Sequence, residues 1–194
     1  MAVARQRAEA VEVLLGMADR MRPEVRRDPG GLLALHGMLY LAAAIAAAEQ
    51  EDAGLASAMH EEVLRAAERM EPHCAVHHAH FGRANVAIHR VSALVRLHET
   101  EAALRVANTI PQGALNALPA ERRANHLLDL TRANTHRGNY AEATRALTRA
   151  EHTAPQEARC RPVAHGLLRT LLSATTGEPA RQVRRLPHRA DVPA

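Results

Sequence analysis

Residues 119–155 constrain the fold of this chain more than any other segment, because two helical patterns meet there at a tight turn. Leu127 and Leu130 lie on one apolar stripe of the first half, and alanines recur at helical spacing in the second half. Gly138 marks the turn between the halves, and Pro155 marks the stop. The segment therefore predicts a pair of packed helices. One such pair cannot bury its own apolar face, so we expect further pairs in the chain.

This pair of helices resembles one unit of the tetratricopeptide repeat (TPR). In that frame Thr131 takes the small position where two helices approach closely, and Tyr140 follows the glycine of the turn. Ala143 and Ala150 supply the tight contacts of the second helix.

Two weaker copies of the same unit precede it, at 85–111 and at 37–63. Together the copies predict an all-α fold, namely a TPR-like helical repeat array (α-solenoid) of about eight helices. Composition agrees, because the chain has one Phe, two Tyr and no Trp, and it lacks the alternating apolar pattern of strands. A sheet is therefore not expected.

The patterns along the chain predict one TPR-like helical domain over residues 1–175 and a basic, mostly flexible tail over 176–194. The repeats are placed near 37–70, 85–111 and 119–155, with a capping helix at 158–175. Individual helices are predicted at about 3–21, 32–49, 52–70, 83–97, 100–110, 119–137, 140–153 and 158–175. Arg22-Pro23 is expected to end the first helix, and 111–119 to be a plain connection. A short helix around Arg181 to Leu186 is compatible with the tail sequence.

Charge and cysteine usage bound the compartment and the partners. The formal net charge is +4, but acidic residues are interspersed almost everywhere, and only 181–189 is a basic run. No apolar run is free of interruptions long enough to span a bilayer, so no membrane partner is expected. The N-terminus is amphipathic and charged, so it lacks the pattern that is typical of a signal peptide. Cys74 and Cys160 are too few and too far apart for a disulfide framework, which favours a cytoplasmic location.

Three segments resemble the C-terminal helical domain of actinobacterial transcriptional regulators of the XRE type, namely 81–97, ERRANHLLDLTRANTHRG and APQEARCRPVAHGLLRTLL. The matching motifs are Phe81-Gly82, the histidine eight residues on (His89), and His126-Leu127-Leu128-Asp129. Arg83-Ala84 stand where the family usually has Pro-Thr. The resemblance covers roughly 32–175.

The resemblance implies a sensory or protein-interaction module that binds a peptide, a small effector or a partner protein in its inner groove. In that family a helix-turn-helix head precedes the TPR-like body, and nothing before residue 32 resembles such a head. DNA is therefore expected to be contacted only indirectly. Two alternatives stay open: a standalone TPR scaffold unrelated to transcription, and a direct nucleic-acid binder that uses the Arg-rich tail. The oligomeric state also stays open, a homodimer included.

The candidate site is a pair of polar stripes on the first helices of two repeats, where a TPR array has its inner groove. The stripes share a 4, 3, 4 spacing and consist of Asn85, His89, Ser92 and Arg96, and of Asn125, Asp129, Arg132 and His136. Such a lining suits a peptide or an anionic small molecule, with Arg96 and Arg132 as carboxylate anchors. The alternative is that both stripes are solvated faces of amphipathic helices.

The histidines of 73–80 invite a metal, since His73, His77 and Cys74 would meet if the segment were helical. No recognised zinc spacing is present, however, and Pro72 and Gly82 frame the segment as a connector. We therefore expect no metal site and no cofactor. The chain also lacks a Gly-rich phosphate loop and a nucleophile motif, so an enzyme is not expected.

Overall fold

The computed structural model describes residues 2–27, 32–67 and 81–186, with side chains described from residue 9 onward. The regular secondary structure in these ranges is helical throughout, which confirms the all-α prediction. Helices pack in neighbouring pairs, an arrangement compatible with a helical repeat array. The described ranges hold α1 (Ala2–Arg27), α2 (Leu32–Ala48), α3 (Ala53–Ala67), α4 (Arg83–Arg96), α5 (Thr100–Thr109), α6 (Gln112–Asn116), α7 (Ala120–His136), α8 (Tyr140–Thr153), α9 (Pro155–Cys160), α10 (Pro162–Ala174) and α11 (Gly177–Arg185).

Helix α1 continues past Pro23 to Arg27, so the prediction that Arg22-Pro23 ends it is wrong. Proline lacks the N–H that would bond to the carbonyl of Asp19, which costs the helix one hydrogen bond. A tertiary contact compensates, because the Arg22 guanidinium donates to the Tyr40 hydroxyl of α2 at 3.2 Å and to the Asp19 carboxylate at 2.7 Å. The contact with α2 stabilises the turn that the proline weakens.

Two further boundaries differ from the predicted ones. The connection 111–119 contains the short helix α6. The capping helix expected at 158–175 is divided into α9 and α10, because Arg161 adopts an extended conformation with φ −84° and ψ 128°. The ring of Pro162 disfavours a helical conformation at the residue before it, and proline then suits the first turn of the next helix.

Helix α11 occupies residues that the sequence predicted as part of a mostly flexible tail. Ala180, Val183 and Leu186 recur every three residues and are all buried in the packing of α11 on α8 and α10. These three apolar side chains explain why the segment packs despite its many arginines. Residues 187–194 lie outside the described ranges.

Where one domain over 1–175 was expected, the contacts divide the chain into two compact units. Unit 1 contains Met1–Glu99 with Val106–Pro111, and unit 2 contains Thr100–Arg105 with Gln112–Ala194. The division falls within α5, whose first six residues belong to unit 2 and whose remaining residues belong to unit 1.

The core of unit 1 forms where α1, α3 and α4 surround α2. Its largest buried side chains are Phe81, Tyr40 and Leu41. Gly37 of α2 makes room for Phe81, since a Cβ at residue 37 would lie 2.3 Å from the ring. A second cluster of small residues lets α2, α3 and α4 approach closely and consists of Ala47, Ala48, Ala56 and Ala93.

The core of unit 2 joins α7, α8, α10 and α11. Leu127, Leu147, Leu171 and Val183 meet there. The tight turn before α8 has Gly138 at φ +73°, a left-handed conformation that glycine adopts without a steric penalty. The predicted helix pair of 119–155 is thus confirmed as α7 and α8.

Candidate functional site

Helix α7 separates its side chains into a packed face and a polar face. Leu127, Leu128 and Thr131 are buried in unit 2. The Thr131 hydroxyl donates to the carbonyl of Leu127 at 2.8 Å, so this small residue is buried without an unsatisfied polar group. Thr131 is thus fully buried, which agrees with its prediction as a small residue at a helix contact.

The polar face of α7 carries the four residues predicted for its stripe. Asn125, Asp129 and Arg132 are half-buried, and His136 is exposed near the end of the helix. Asp129 and His136 take part in polar interactions. Arg132 forms no ion pair within the described ranges, and its half-buried guanidinium remains accessible from the solvent.

The stripe of α4 is used for packing inside unit 1. Asn85 is fully buried, and its amide donates to the sulfur of Met38 at 3.4 Å. The ring Nδ1 of His89 lies 2.8 Å from the carbonyl oxygen of Asn85. The Asn85 contact joins α4 to α2, whereas the His89 contact lies within α4, and Asn85 offers no surface to a ligand.

Arg96 at the end of the α4 stripe is already partnered. Its Nε donates to the Glu49 carboxylate at 3.3 Å, and its terminal nitrogen donates to the Ser92 carbonyl at 3.0 Å. The two predicted carboxylate anchors therefore differ: Arg96 has an internal carboxylate, whereas Arg132 has none within the described ranges. The two stripes lie in different units.

A cleft of about 520 Å³ opens between α8 and α11, within unit 2, and sequence reasoning missed it. Its lining is rich in basic and polar side chains and consists of Arg145, Thr148, Arg149, Glu151, His152, Gln182, Arg185 and Leu186. The signal that could have revealed it is the helical spacing of Arg145, Arg149 and His152 in α8. The other side of the cleft is formed by α11, whose arginines were predicted to belong to a flexible tail.

Helix α7 also contains a buried histidine. His126 of α7 is 4% exposed, and its Nδ1 makes no hydrogen bond. Burial lowers the pKa of His126 to about 4, and the positive charge of Arg149 contributes in the same direction. His126 is therefore neutral at pH 7 and belongs to the core.

No group of three or more His, Cys, Asp or Glu side chains within the described ranges could hold a metal ion. The candidate cluster His73, Cys74, His77 and its neighbours lies outside those ranges. Among the helices that the structure describes, none is both long and apolar enough to cross a bilayer.

Neither the protein-family models, nor the curated proteins, nor the solved structures include a significant match to this chain.

Proposed function

We propose that this chain is a non-enzymatic, TPR-like interaction module whose polar face on α7 binds an acidic peptide segment of a partner protein. The observation that carries the proposal is Arg132, a half-buried guanidinium without a carboxylate partner within the described ranges. Partial burial strengthens hydrogen bonds between charged groups, because the surrounding dielectric constant is lower than that of water. A partner's carboxylate is the natural group to complete the site.

The neighbours of Arg132 favour a peptide over a simple anion. Asn125 offers an amide that both donates and accepts, which matches the alternating groups of a peptide backbone. The carboxylate of Asp129 lies between the two in sequence and would repel a ligand that carries only negative charge. A peptide can supply both a carboxylate for Arg132 and backbone N–H and C=O groups for Asn125.

The family resemblance of 32–175 supports a role for this module in a transcriptional regulator of the XRE type. Peptide occupancy would then be passed to a DNA-binding head, so that this chain contacts DNA only indirectly. The sparse, distant cysteines support a cytoplasmic location.

A peptide-library selection tests the proposal, with the wild type, Arg132→Gln and Arg169→Gln as baits. Arg169 is the matched control, because it is an exposed arginine of unit 2 on helix α10. We expect peptides rich in Asp and Glu from the wild type and from Arg169→Gln, and loss of that enrichment with Arg132→Gln. Equal enrichment with all three baits, or wild-type peptides without acidic residues, would contradict the proposed function.

A further inference from the structure

The cleft between α8 and α11 has an excess of positive charge that internal ion pairs leave uncompensated. Residues 140–186 contain four glutamates and no aspartate. Each glutamate is paired with an arginine, and the pairs are Glu142–Arg145, Glu151–Arg159, Glu157–Arg161 and Glu178–Arg181. All the glutamate carboxylates of α8 to α11 therefore already form ion pairs with arginines of the same segment.

Four arginines of the same segment have no such partner within the described ranges, namely Arg149, Arg169, Arg184 and Arg185. Two of them, Arg149 and Arg185, line the cleft from opposite helices. The cleft therefore brings together two arginines from separate helices that form no ion pair within the described ranges, although Glu178 acts on Arg185 at longer range. Glu151 also lines it, but this buried carboxylate is neutralised by its ion pair with Arg159.

The rest of the lining defines what kind of anion fits. The Thr148 hydroxyl already donates to the carbonyl of Thr144 at 2.9 Å, so it supplies no donor to an anion and leaves that role to the arginines. Gln182 adds an amide, and Leu186 gives an apolar wall. A volume of about 520 Å³ suits a small organic molecule and is small for a folded partner.

We propose that this cleft binds a small phosphomonoester, with Arg149 and Arg185 as its two anchors. A phosphomonoester dianion matches the two positive charges, whereas a carboxylate neutralises only one of them. Guanidinium groups bind phosphate oxygens through paired hydrogen bonds, and the organic group of the ester would lie against Leu186. This site is separate from the peptide site on α7, and either one can exist without the other.

Isothermal titration with phenyl phosphate tests the proposal at about pH 7.5, above the second pKa of about 6 of a phosphomonoester. The cleft variant is the double substitution Arg149→Gln and Arg185→Gln. The control variant is Arg169→Gln and Arg184→Gln, which removes the same charge from unpaired, exposed arginines outside the cleft. Circular dichroism confirms that both variants fold, as expected for exposed positions.

We expect the cleft variant to bind phenyl phosphate about 100-fold more weakly than the wild type, because two charged hydrogen-bonding groups are lost. The control variant should bind within about twofold, since it keeps both anchors. Absence of wild-type binding, equal weakening in both variants, or equally tight binding of benzoate would overturn the proposal. Preferential binding of a DNA duplex, lost in both variants and steeply salt-dependent, would overturn it in favour of a polyanion surface.

Discussion

At the scale of single residues, His126 links the packing of unit 2 to pH. Its pKa of about 4 lies below the value of about 6.5 expected in the unfolded chain. At a pH between about 4 and about 6.5, the unfolded chain binds this proton more readily than the folded chain does, so acidification favours unfolding. The stabilising contribution is complete above pH 6.5 and is lost as the pH falls towards 4, by about 3 kcal/mol in total.

The substitution His126→Leu isolates this effect. We expect the free energy of unfolding of the wild type to fall by about 2 kcal/mol more between pH 7 and pH 5 than that of His126→Leu, measured by urea denaturation. The two proteins must be compared, because burial also lowers the pKa values of His36 and His60 in unit 1. These two histidines add to the pH dependence of the wild type and of His126→Leu alike. An unchanged pH dependence in His126→Leu would show that this histidine is not the titrating group.

The polar stripes show at this scale what a sequence can reveal about a site. Helical spacing alone predicted that Asn85 and Arg96, like Asn125 and Arg132, share helix faces. Periodicity cannot tell a face that meets another helix from a face that meets a ligand. Met38 lies in α2 and Glu49 in the turn after it, so the two residues that contact the α4 stripe bear no periodic relation to it.

At the scale of elements, Gly37 controls how α2 meets the segment that begins α4. Alanine is a better helix former than glycine by about 1 kcal/mol, but its Cβ would lie 2.3 Å from the buried Phe81 ring. Since the ring is only 2% exposed, it cannot move aside without disturbing the core. We expect Gly37→Ala to lower the free energy of unfolding by about 1–3 kcal/mol, as measured by urea denaturation.

Gly166 of α10 provides the matched control, because a Cβ there meets nothing within 4 Å. Gly166→Ala should raise the free energy of unfolding by about 0.5–1 kcal/mol. Adding Phe81→Leu to Gly37→Ala should recover part of the loss, because leucine removes the ring atoms in contact. Equal stabilisation by both alanine substitutions would refute a close contact between Gly37 and Phe81.

Helix boundaries were predictable where local chemistry decides them. Helices α2, α7 and α8 begin and end within about two residues of the prediction, because apolar periodicity and turn residues specify them. Pro23 misled the prediction, since the Arg22–Tyr40 contact comes from a different helix. Pro162 was overlooked as a break, although it divides α9 from α10.

At the scale of the whole chain, the repeat frame predicted the fold class but not the grouping of the helices. The pair α7 and α8 can be identified from local sequence, because Ala143 and Ala150 lie at helical spacing after the turn at Gly138. Which helices contribute to which compact unit depends on long-range contacts, such as those of Val183 and Leu186 with unit 2. The cleft escaped prediction for the same reason, since Arg149 and Arg185 meet only after α11 packs on α8.

Peptide binding by α7 is tested most directly by the affinity of one acidic peptide, taken from the wild-type selection, for the wild type, Arg132→Gln and Arg96→Gln. Fluorescence anisotropy gives each Kd, and circular dichroism verifies that each variant is folded. We expect Arg132→Gln to weaken binding by about 10–100-fold, because a charged hydrogen bond is lost, and Arg96→Gln to change it by no more than about twofold. Wild-type affinity in Arg132→Gln, or an equally strong loss in Arg96→Gln, would show that Arg132 does not anchor the peptide.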